Sequence, residues 1–296
     1  MTWTRMYGLR IGDRDFRLVE GPCGWGECSP LPGYACSASS ALAAATEAAT
    51  RAWPTPVRDA VPVNALVTGS DLDPAALAGF GCIKVKVGRR DIHSDISLVS
   101  AVRDMVGPSV ALRVDANGAW DETTAESVLT SMARYGIELA EQPVADIEAM
   151  ARLRRRVPVP LAADECVRSV DDARRLRSLR AADAVVLKVQ PLGGMWAALD
   201  VAEAAGVPAV VSSMMETSVG IAAGLYLAAS LPELPHACGL ATVGMLARDV
   251  TRVPLVPEGG MLAVRRVAPD LDLLAMMRTD DPVHGDDPVH GARARP

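Results

Sequence analysis

The segment CIKVKVG, residues 82–88, is a short run rich in β-branched residues that ends at a glycine. A second run of this kind, VALRVD at residues 110–115, follows after a longer stretch with apolar residues at helical spacing. A buried strand, a helix and a second buried strand in this order predict a β-α-β unit, whose two strands are parallel.

The same alternation recurs along the chain at a spacing of about 25 residues. The apolar runs are Val61–Val67, Cys82–Val87, Val110–Asp115, Ile137–Ala140, Val159–Ala163, Ala184–Val189, Ala209–Ser213 and Leu234–Gly239. Helical patterns such as Asp121–Tyr135 and Ser169–Arg180 lie between them. Eight such units predict the α/β class and a modified TIM-type (β/α) barrel over residues 59–251.

The first 58 residues have a different pattern. Strand-like stretches at Met6–Ile11 and Phe16–Glu20 lead through the Gly- and Pro-rich segment Gly21–Tyr34 to an Ala-rich helix, Leu42–Trp53. We expect residues 1–58 to form a small α+β capping domain, with a return segment at about 252–278. The tail, 279–296, repeats DDPVHG and is expected to be disordered.

Composition limits the classes of partner. Half of the 296 residues are hydrophobic, and the net charge of −6 provides no basic surface for nucleic acid. The most apolar stretch, 207–231, is interrupted by Pro208 and Glu216, so we expect no membrane span. Six cysteines without a CxxC pair favour a reducing cytoplasm and argue against zinc. The sequence leaves the oligomeric state open, and a monomer is compatible with it.

Lysine is rare in this chain. Among the 30 lysines and arginines, the lysines are Lys84, Lys86 and Lys188, and all of them lie in apolar strand contexts. A guanidinium group stays protonated, whereas an amine loses its proton when its surroundings lower its pKa. The lysines are therefore candidates for proton transfer rather than for plain surface charge.

Polar side chains stand where the predicted strands end, which is the edge of a barrel where active sites form. They are Lys84, Lys86, Asp115, Asn117, Glu141, Asp164, Glu165 and Lys188. A single carboxylate there is explained by capping of the next helix. Three at the ends of consecutive strands converge and repel one another unless a cation lies between them. Hard oxygen ligands favour Mg²⁺, and Mn²⁺ is also compatible.

The positions of the lysines indicate a reaction class. Lys84 and Lys86 are two residues apart on one strand, so their ammonium groups share a face and lower each other's pKa. Lys188 follows four strands later, about halfway round the barrel. A small carboxylate bound to the cation between them has an acidified α-proton, because the cation stabilises the enediolate. One amine then takes this proton, and the other either donates one or stabilises charge while a leaving group departs.

The motifs KVK, DAN, EQP, DE and LK, in this order and spacing, resemble the enolase superfamily in its muconate-lactonizing-enzyme-like subgroup. The resemblance covers residues 1 to about 270. The site that it implies consists of the magnesium ligands Asp115, Glu141 and Asp164, the acid–base lysines Lys86 and Lys188, the auxiliary Lys84, and Asn117 beside the ligands or the substrate.

Three further segments resemble the o-succinylbenzoate synthases of actinobacterial type: GWGECSPLPGY (24–34), SSMMETSVG (212–220) and ACGLATVGML (237–246). This resemblance implies a lyase that dehydrates the cyclohexadiene carboxylate SHCHC to o-succinylbenzoate in menaquinone synthesis. It implies that Lys86 abstracts a proton and returns it to the departing hydroxyl in a syn elimination. Lys188 would lie over the ring in a cation–π contact. Related epimerases carry similar segments, so an N-acylamino acid racemase or dipeptide epimerase is the alternative.

Substrate contacts are predicted less sharply. Ser212 and Ser213 end the seventh strand and are candidates to bind a substrate carboxylate, and Gly239 allows a close backbone approach to a ligand. Two departures from the family pattern bear on substrate fit, namely Cys166 in place of the usual serine and the weakly acidic loop after Tyr34. Glu165 is expected to be structural, with a substrate contact as the alternative, and Trp25 is expected to be a packing residue.

The sequence opposes two hypotheses outside this chemistry. A Schiff-base aldolase would use Lys188 without a metal, which the three strand-end carboxylates oppose. A binding protein that has lost catalysis would be expected to lack part of the motif set, and no part is missing here.

Overall fold

The computed structural model describes residues 3–89 and 91–279. The strands are β1 (Arg5–Ile11), β2 (Arg14–Gly21), β3 (Gly24–Cys28), β4 (Ala60–Pro62), β5 (Ala65–Val67), β6 (Cys82–Lys86), β7 (Ala111–Asp115), β8 (Ile137–Glu141), β9 (Leu161–Ala163), β10 (Ala184–Leu187), β11 (Ala209–Val211) and β12 (Met261–Ala263). The helices are α1 (Ala38–Thr50), α2 (Pro74–Leu77), α3 (Ile92–Val106), α4 (Glu122–Met132), α5 (Ile147–Arg154), α6 (Val170–Leu179), α7 (Val189–Leu192), α8 (Met195–Ala205), α9 (Ser218–Ser230) and α10 (Leu271–Met277).

The sequence predicts no membrane span and a disordered tail. Within the described ranges, no helix is both long enough and apolar enough to cross a membrane. The predicted disordered tail, with both DDPVHG repeats, lies outside the described residues apart from Thr279.

The N-terminal unit is a three-stranded antiparallel sheet in the order β1-β2-β3, with α1 packed against it. The sequence pattern predicted β1 and β2 but described Gly21–Tyr34 only as Gly- and Pro-rich, so β3 is a correction. Its glycine content has a packing cause. A Cβ atom at Gly26 would lie 2.0 Å from the backbone oxygen of Ala45, so the glycine lets α1 lie directly on the strand.

The main body is a curled parallel sheet of seven strands, in which β5 to β11 are neighbours in chain order. The predicted α/β barrel is confirmed by this order. The eighth predicted run, Leu234–Gly239, is reduced to two parallel bridges, which join Cys238 to Val63 and Gly239 to Ser212. These bridges link the first strand of the sheet to the last, and the prolines at 232 and 235 explain why no longer ladder forms there.

The predicted first strand, Val61–Val67, is two strands in the structure. β5 belongs to the parallel sheet, whereas β4 pairs antiparallel with β12. The one strand of the predicted return segment, β12, therefore pairs with β4 and not with the cap sheet. The predicted return segment does contact the cap. Arg266 donates to the Cys23 carbonyl, and α10 packs against β1, where Arg278 forms an antiparallel bridge with Leu9.

On β8 to β11, small and aliphatic side chains lie below the strand ends, whereas β7 has the buried Arg113 two residues before Asp115. This apolar floor consists of Leu139, Ala162, Ala184, Val186 and Val210. Side chains two residues further along these strands face the same interior, because strand residues alternate between two faces. The polar residues that end these strands therefore lie directly above apolar side chains.

A buried carboxylate joins the cap to the barrel. Oε2 of Glu27, at the end of β3, accepts from the Thr217 hydroxyl at 2.5 Å and from the Gly220 backbone N–H at 3.1 Å, both at the start of α9. Oε1 accepts from the Ser29 hydroxyl at 2.6 Å. A helix N-terminus is a favourable place for a negative charge, but burial raises the pKa of Glu27 to about 7.

Gly26→Ala tests the contact between β3 and α1. The new methyl group would overlap the Ala45 carbonyl, so we expect the free energy of unfolding to fall by about 1–3 kcal/mol in urea denaturation. Gly81→Ala is the matched control, because a Cβ atom there meets no atom within 4 Å. Equal stability of the two variants would contradict the packing argument.

Glu27→Gln tests the buried carboxylate through pH. A folded-state pKa of about 7 means that the stability from proton binding is complete below the ordinary pKa of 4.5 and is lost as pH rises through 7. Glutamine does not titrate. The unfolding free energy of the variant minus that of the wild type should therefore increase by about 2–3 kcal/mol from about pH 4.5 to about pH 8. A difference that does not change with pH would show that Glu27 keeps an ordinary pKa.

Candidate active site

The structure brings the predicted lysines and carboxylates to one end of the barrel. Lys84 and Lys86 lie on β6, Asp115 and Glu141 end β7 and β8, and Asp164 and Lys188 directly follow β9 and β10. These side chains are buried except for that of Lys86, which is 14% exposed. Convergence follows from the parallel order of the strands, since their carboxyl ends meet at one edge.

Each of the three carboxylates lies within ion-pair distance of at least one ammonium group. Lys84 Nζ lies 3.0 Å from Asp115 Oδ2 and 3.0 Å from Glu141 Oε1, so it bridges two adjacent strands. Lys86 Nζ lies 2.6 Å from the same oxygen of Asp115. Lys188 Nζ lies 2.5 Å from Asp164 Oδ2. Every one of the three carboxylates thus has a lysine partner.

The pKa shifts separate the lysines. Burial, and then the neighbouring charge of Lys84, lower the pKa of Lys86. Burial acts in the same direction on Lys84 and Lys188, but the nearby carboxylates outweigh it and raise the pKa of both. The sequence predicts that Lys84 and Lys86 lower each other's pKa. In the structure the pKa is lowered for Lys86 but not for Lys84, so Lys86 is the lysine whose surroundings favour loss of its proton.

Among the carboxyl groups, Glu141 stands out. Burial, and then the charge of Asp115, raise its pKa to about 8 despite the contact with Lys84. The pKa of Asp115 is well below its ordinary value, because Lys84 and Lys86 together outweigh its burial. Burial thus favours the neutral form of Glu141, whereas the two lysines hold Asp115 in its charged form.

The donor set has the chemistry of a divalent-metal site. Asp115, Glu141 and Asp164 supply buried hard oxygens from three adjacent strands, and hard oxygens are the ligands that Mg²⁺ prefers. In the described ranges no three acidic, histidine or cysteine side chains already surround a common point as a metal cluster. Their oxygens are turned to the lysines instead. The residues fit the ion by type and position, and the assignment of ligands stays a prediction.

Asn117 links Lys86 to Glu165. Its Oδ1 accepts from Lys86 Nζ at 2.8 Å, and its Nδ2 donates to Glu165 Oε1 at 2.8 Å. An ammonium group only donates and a carboxylate only accepts, so these neighbours determine which way the amide faces. Glu165 contacts the site through this amide and also lines the cavity above it, so its structural role stays a prediction.

A cavity of about 660 Å³ lies above these groups. Its lining includes Lys86, Asn117, Lys188, Ser212, Ser213 and Gly239. Ser213 Oγ donates to the Gly239 carbonyl at 2.6 Å, and a Cβ atom at Gly239 would lie 2.4 Å from Ser212 Oγ. The glycine is therefore required by the packing of Ser212, which the sequence did not reveal. Substrate contact by these residues stays a prediction.

Two residues that contact the site were missed. Tyr34, in the loop after β3, places its hydroxyl 2.7 Å from Asp164 Oδ1 and 2.8 Å from Lys188 Nζ. Arg168, which follows β9, donates to the same hydroxyl at 2.9 Å. Neither lies at a strand end, and their contact spans 134 positions in sequence, so no local pattern predicted it.

The chain is similar to known proteins along most of its length. Residues 71–270 match the family model "Enolase C-terminal domain-like", and residues 5–49 match "Enolase N-terminal domain-like". The o-succinylbenzoate synthase of Thermobifida fusca (strain YX) is 49% identical over 284 residues, which cover 94% of this chain and 89% of that protein. That of Mycolicibacterium smegmatis is 43% identical, with 94% and 88% covered.

The solved structure of muconate lactonizing enzyme from Pseudomonas fluorescens, complexed with muconolactone, superposes with a TM-score of 0.79. It is 24% identical, and the match covers 93% of this chain and 97% of that one. At this identity the likeness concerns the fold, and it confirms the barrel with a small N-terminal cap.

Lys84→Met tests the neutralisation of the carboxylates. In the presence of a chelator, the variant leaves Asp115 and Glu141 buried without their shared ammonium group, and we expect the unfolding free energy to fall by about 3 kcal/mol. Addition of Mg²⁺ should reduce this loss, because a bound cation replaces the missing charge. The control is Arg10→Met, which breaks the exposed pair with Asp15 and should cost less than about 1 kcal/mol. An equally small loss in Lys84→Met would contradict the argument.

Proposed function

Because the chain belongs to the o-succinylbenzoate synthase family of the enolase superfamily, we propose that it is a carbon–oxygen lyase that dehydrates SHCHC to o-succinylbenzoate. The family resemblance drawn from the motifs is confirmed by the same comparisons. The observation that carries the proposal is the identity of 43–49% to curated o-succinylbenzoate synthases over 94% of the chain. The reaction would serve menaquinone synthesis, as the resemblance implies.

We propose Lys86 as the base. It borders the cavity, its pKa is lowered by burial and by Lys84, and Asn117 holds its Nζ from one side. A neutral amine at this position takes the proton from the carbon next to the substrate carboxylate. The same ammonium then returns a proton to the hydroxyl on that face, so that one C–H and one C–O bond break and water leaves.

Lys188 has the opposite character. Burial lowers its pKa, but Asp164, Glu141 and Glu165 together outweigh burial and raise it, so the ammonium group stays charged. A charged ammonium at the cavity wall stabilises negative charge that develops on the substrate ring, and a cation–π contact is the natural form of this interaction. This division of labour suits an elimination in which a single lysine exchanges protons.

Membership in the enolase superfamily implies a divalent metal. We propose Mg²⁺ as that ion, with Asp115, Glu141 and Asp164 as its protein ligands. When bound, the ion supplies positive charge that acidifies the proton next to a coordinated carboxylate. Lys84, between two of these carboxylates, supports the set by balancing its charge.

We further propose that the substrate is the small-molecule partner of this chain and that the reaction takes place in the cytoplasm. All six cysteines are free, in keeping with a compartment that keeps thiols reduced.

Racemisation of N-acyl amino acids is the competing activity, and it requires proton exchange by lysines on both faces. Incubation with N-succinyl amino acids in D₂O measures that exchange directly. Fast exchange at the α-carbon together with no conversion of SHCHC would reject the proposed dehydration.

Lys86→Arg tests the base. Guanidinium keeps the positive charge but does not deprotonate, so we expect turnover of SHCHC to fall by at least about 10³-fold. Magnesium affinity, measured by calorimetry, should change little, since the charge beside Asp115 is retained. Turnover close to that of the wild type would exclude Lys86 as the base.

A further inference from the structure

The phenol of Tyr34 reaches from the cap loop into the barrel. Its hydroxyl donates to Asp164 Oδ1 at 2.7 Å and accepts from Lys188 Nζ at 2.8 Å and Arg168 Nη2 at 2.9 Å. Lys188 Nζ also lies 4.2 Å from the centre of the ring. One oxygen thus contacts a predicted metal ligand and the lysine on the far side of the cavity from Lys86.

Arg168 holds the cap loop to the barrel around this phenol. Its Nε donates to the Ala35 carbonyl at 3.1 Å, on the cap side. Its Nη1 donates at 2.8 Å to the Asp164 carbonyl, on the barrel side. The guanidinium group therefore joins both backbones as well as the Tyr34 hydroxyl, a use of several donors in one plane that lysine does not offer.

The base of the same loop has separate anchors. Glu27 is bonded to the start of α9, and the Ser29 backbone N–H donates to Gln190 Oε1 at 2.8 Å. Loss of the Tyr34 hydroxyl would leave these bonds in place. The cap is therefore attached to the barrel without the contacts of Tyr34 and Arg168.

Lys188 has a long, flexible side chain, and a single ion pair with Asp164 restricts only the distance of its Nζ. The phenol oxygen supplies a second acceptor and so restricts its direction. Because that acceptor belongs to the cap loop, Lys188 has both contacts only when residues 31–35 lie over the barrel. These loop residues also line the cavity.

We propose that Tyr34 and Arg168 are positioning residues that orient Lys188 and make its orientation depend on the closed cap loop. The inference rests on the proposed function, in which Lys188 stabilises charge in the dehydration. Their contribution falls on the transition state, where the direction of the ammonium group matters most, rather than on substrate binding.

The test compares Tyr34→Phe and Arg168→Met with Tyr135→Phe. The control removes a hydroxyl that also accepts from an arginine, Arg134 at 2.9 Å, but on the outer surface. In Tyr34→Phe we expect kcat for SHCHC at saturating Mg²⁺ to fall by about 10–100-fold, with KM changed by less than about threefold. Arg168→Met should show the same division, and the double variant should lose little more than either single one. The control should match the wild type.

A second measurement needs no activity. Hydrogen exchange of the metal-free protein should speed up over residues 31–36 in both site variants and stay unchanged in the control. If the wild-type protein does not convert SHCHC but the variants still show this exchange pattern, the proposed dehydration is rejected, whereas the contact between the cap loop and the barrel is supported. Unchanged exchange, a kcat within about twofold of wild type, or a loss confined to KM would overturn the positioning role.

Discussion

The structure depends on the neutralisation of three carboxylates that are buried side by side. A buried charge without a partner costs several kcal/mol, so Asp115 and Asp164 stay charged because ammonium groups lie beside them, whereas burial raises the pKa of Glu141 to about 8. The barrel imposes the crowding, since adjacent parallel strands deliver their last residues to one place. It also provides the remedy, because β6 and β10 bring ammonium groups to the same edge. The same crowding separates the lysines into one whose pKa falls and two whose pKa rises.

The cap is part of this electrostatic arrangement. Glycines in the cap sheet let α1 lie flat on it, and Glu27 bonds the end of β3 to the start of α9. From that fixed point the following loop extends over the barrel as far as Tyr34. The cap is thus held by its contacts with the barrel. It adds the hydroxyl group of Tyr34 to the site, a group that no strand end supplies.

The sequence predicted what depends on local pattern. Apolar runs that end in KVK, VD, AE and AD located β6 to β9, and the parallel order of the strands predicted that their last residues meet. What was missed depends on contacts between distant segments. β3 is hidden by glycines that only its packing on α1 explains, and the division of Val61–Val67 follows from pairing with β12, about 200 residues away.

The same limit applies within the site. Gly239 was interpreted as a place of close backbone approach to a ligand; it lines the cavity, and its contact with the side chain of Ser212 adds a packing reason that the sequence did not reveal. Tyr34 and Arg168 meet across 134 positions, and neither is recognisable alone. The pKa of Lys84 was predicted wrongly for a similar reason. Repulsion between Lys84 and Lys86 can be deduced from their spacing on one strand, but the attraction of Asp115 and Glu141 depends on distances that only the folded chain defines.

The scarcity of lysine has a practical consequence for chemical labelling. Lys84, Lys86 and Lys188 all border the cavity, so the positive charge of the outer surface is carried by guanidinium groups. A reagent selective for primary amines would find, apart from the α-amino group of the chain, targets within the reaction chamber alone. Pyridoxal-type aldehydes or small acylating agents would therefore report on entry to that chamber without background from the exterior, and a protease specific for lysine would find no cleavage site on the native surface.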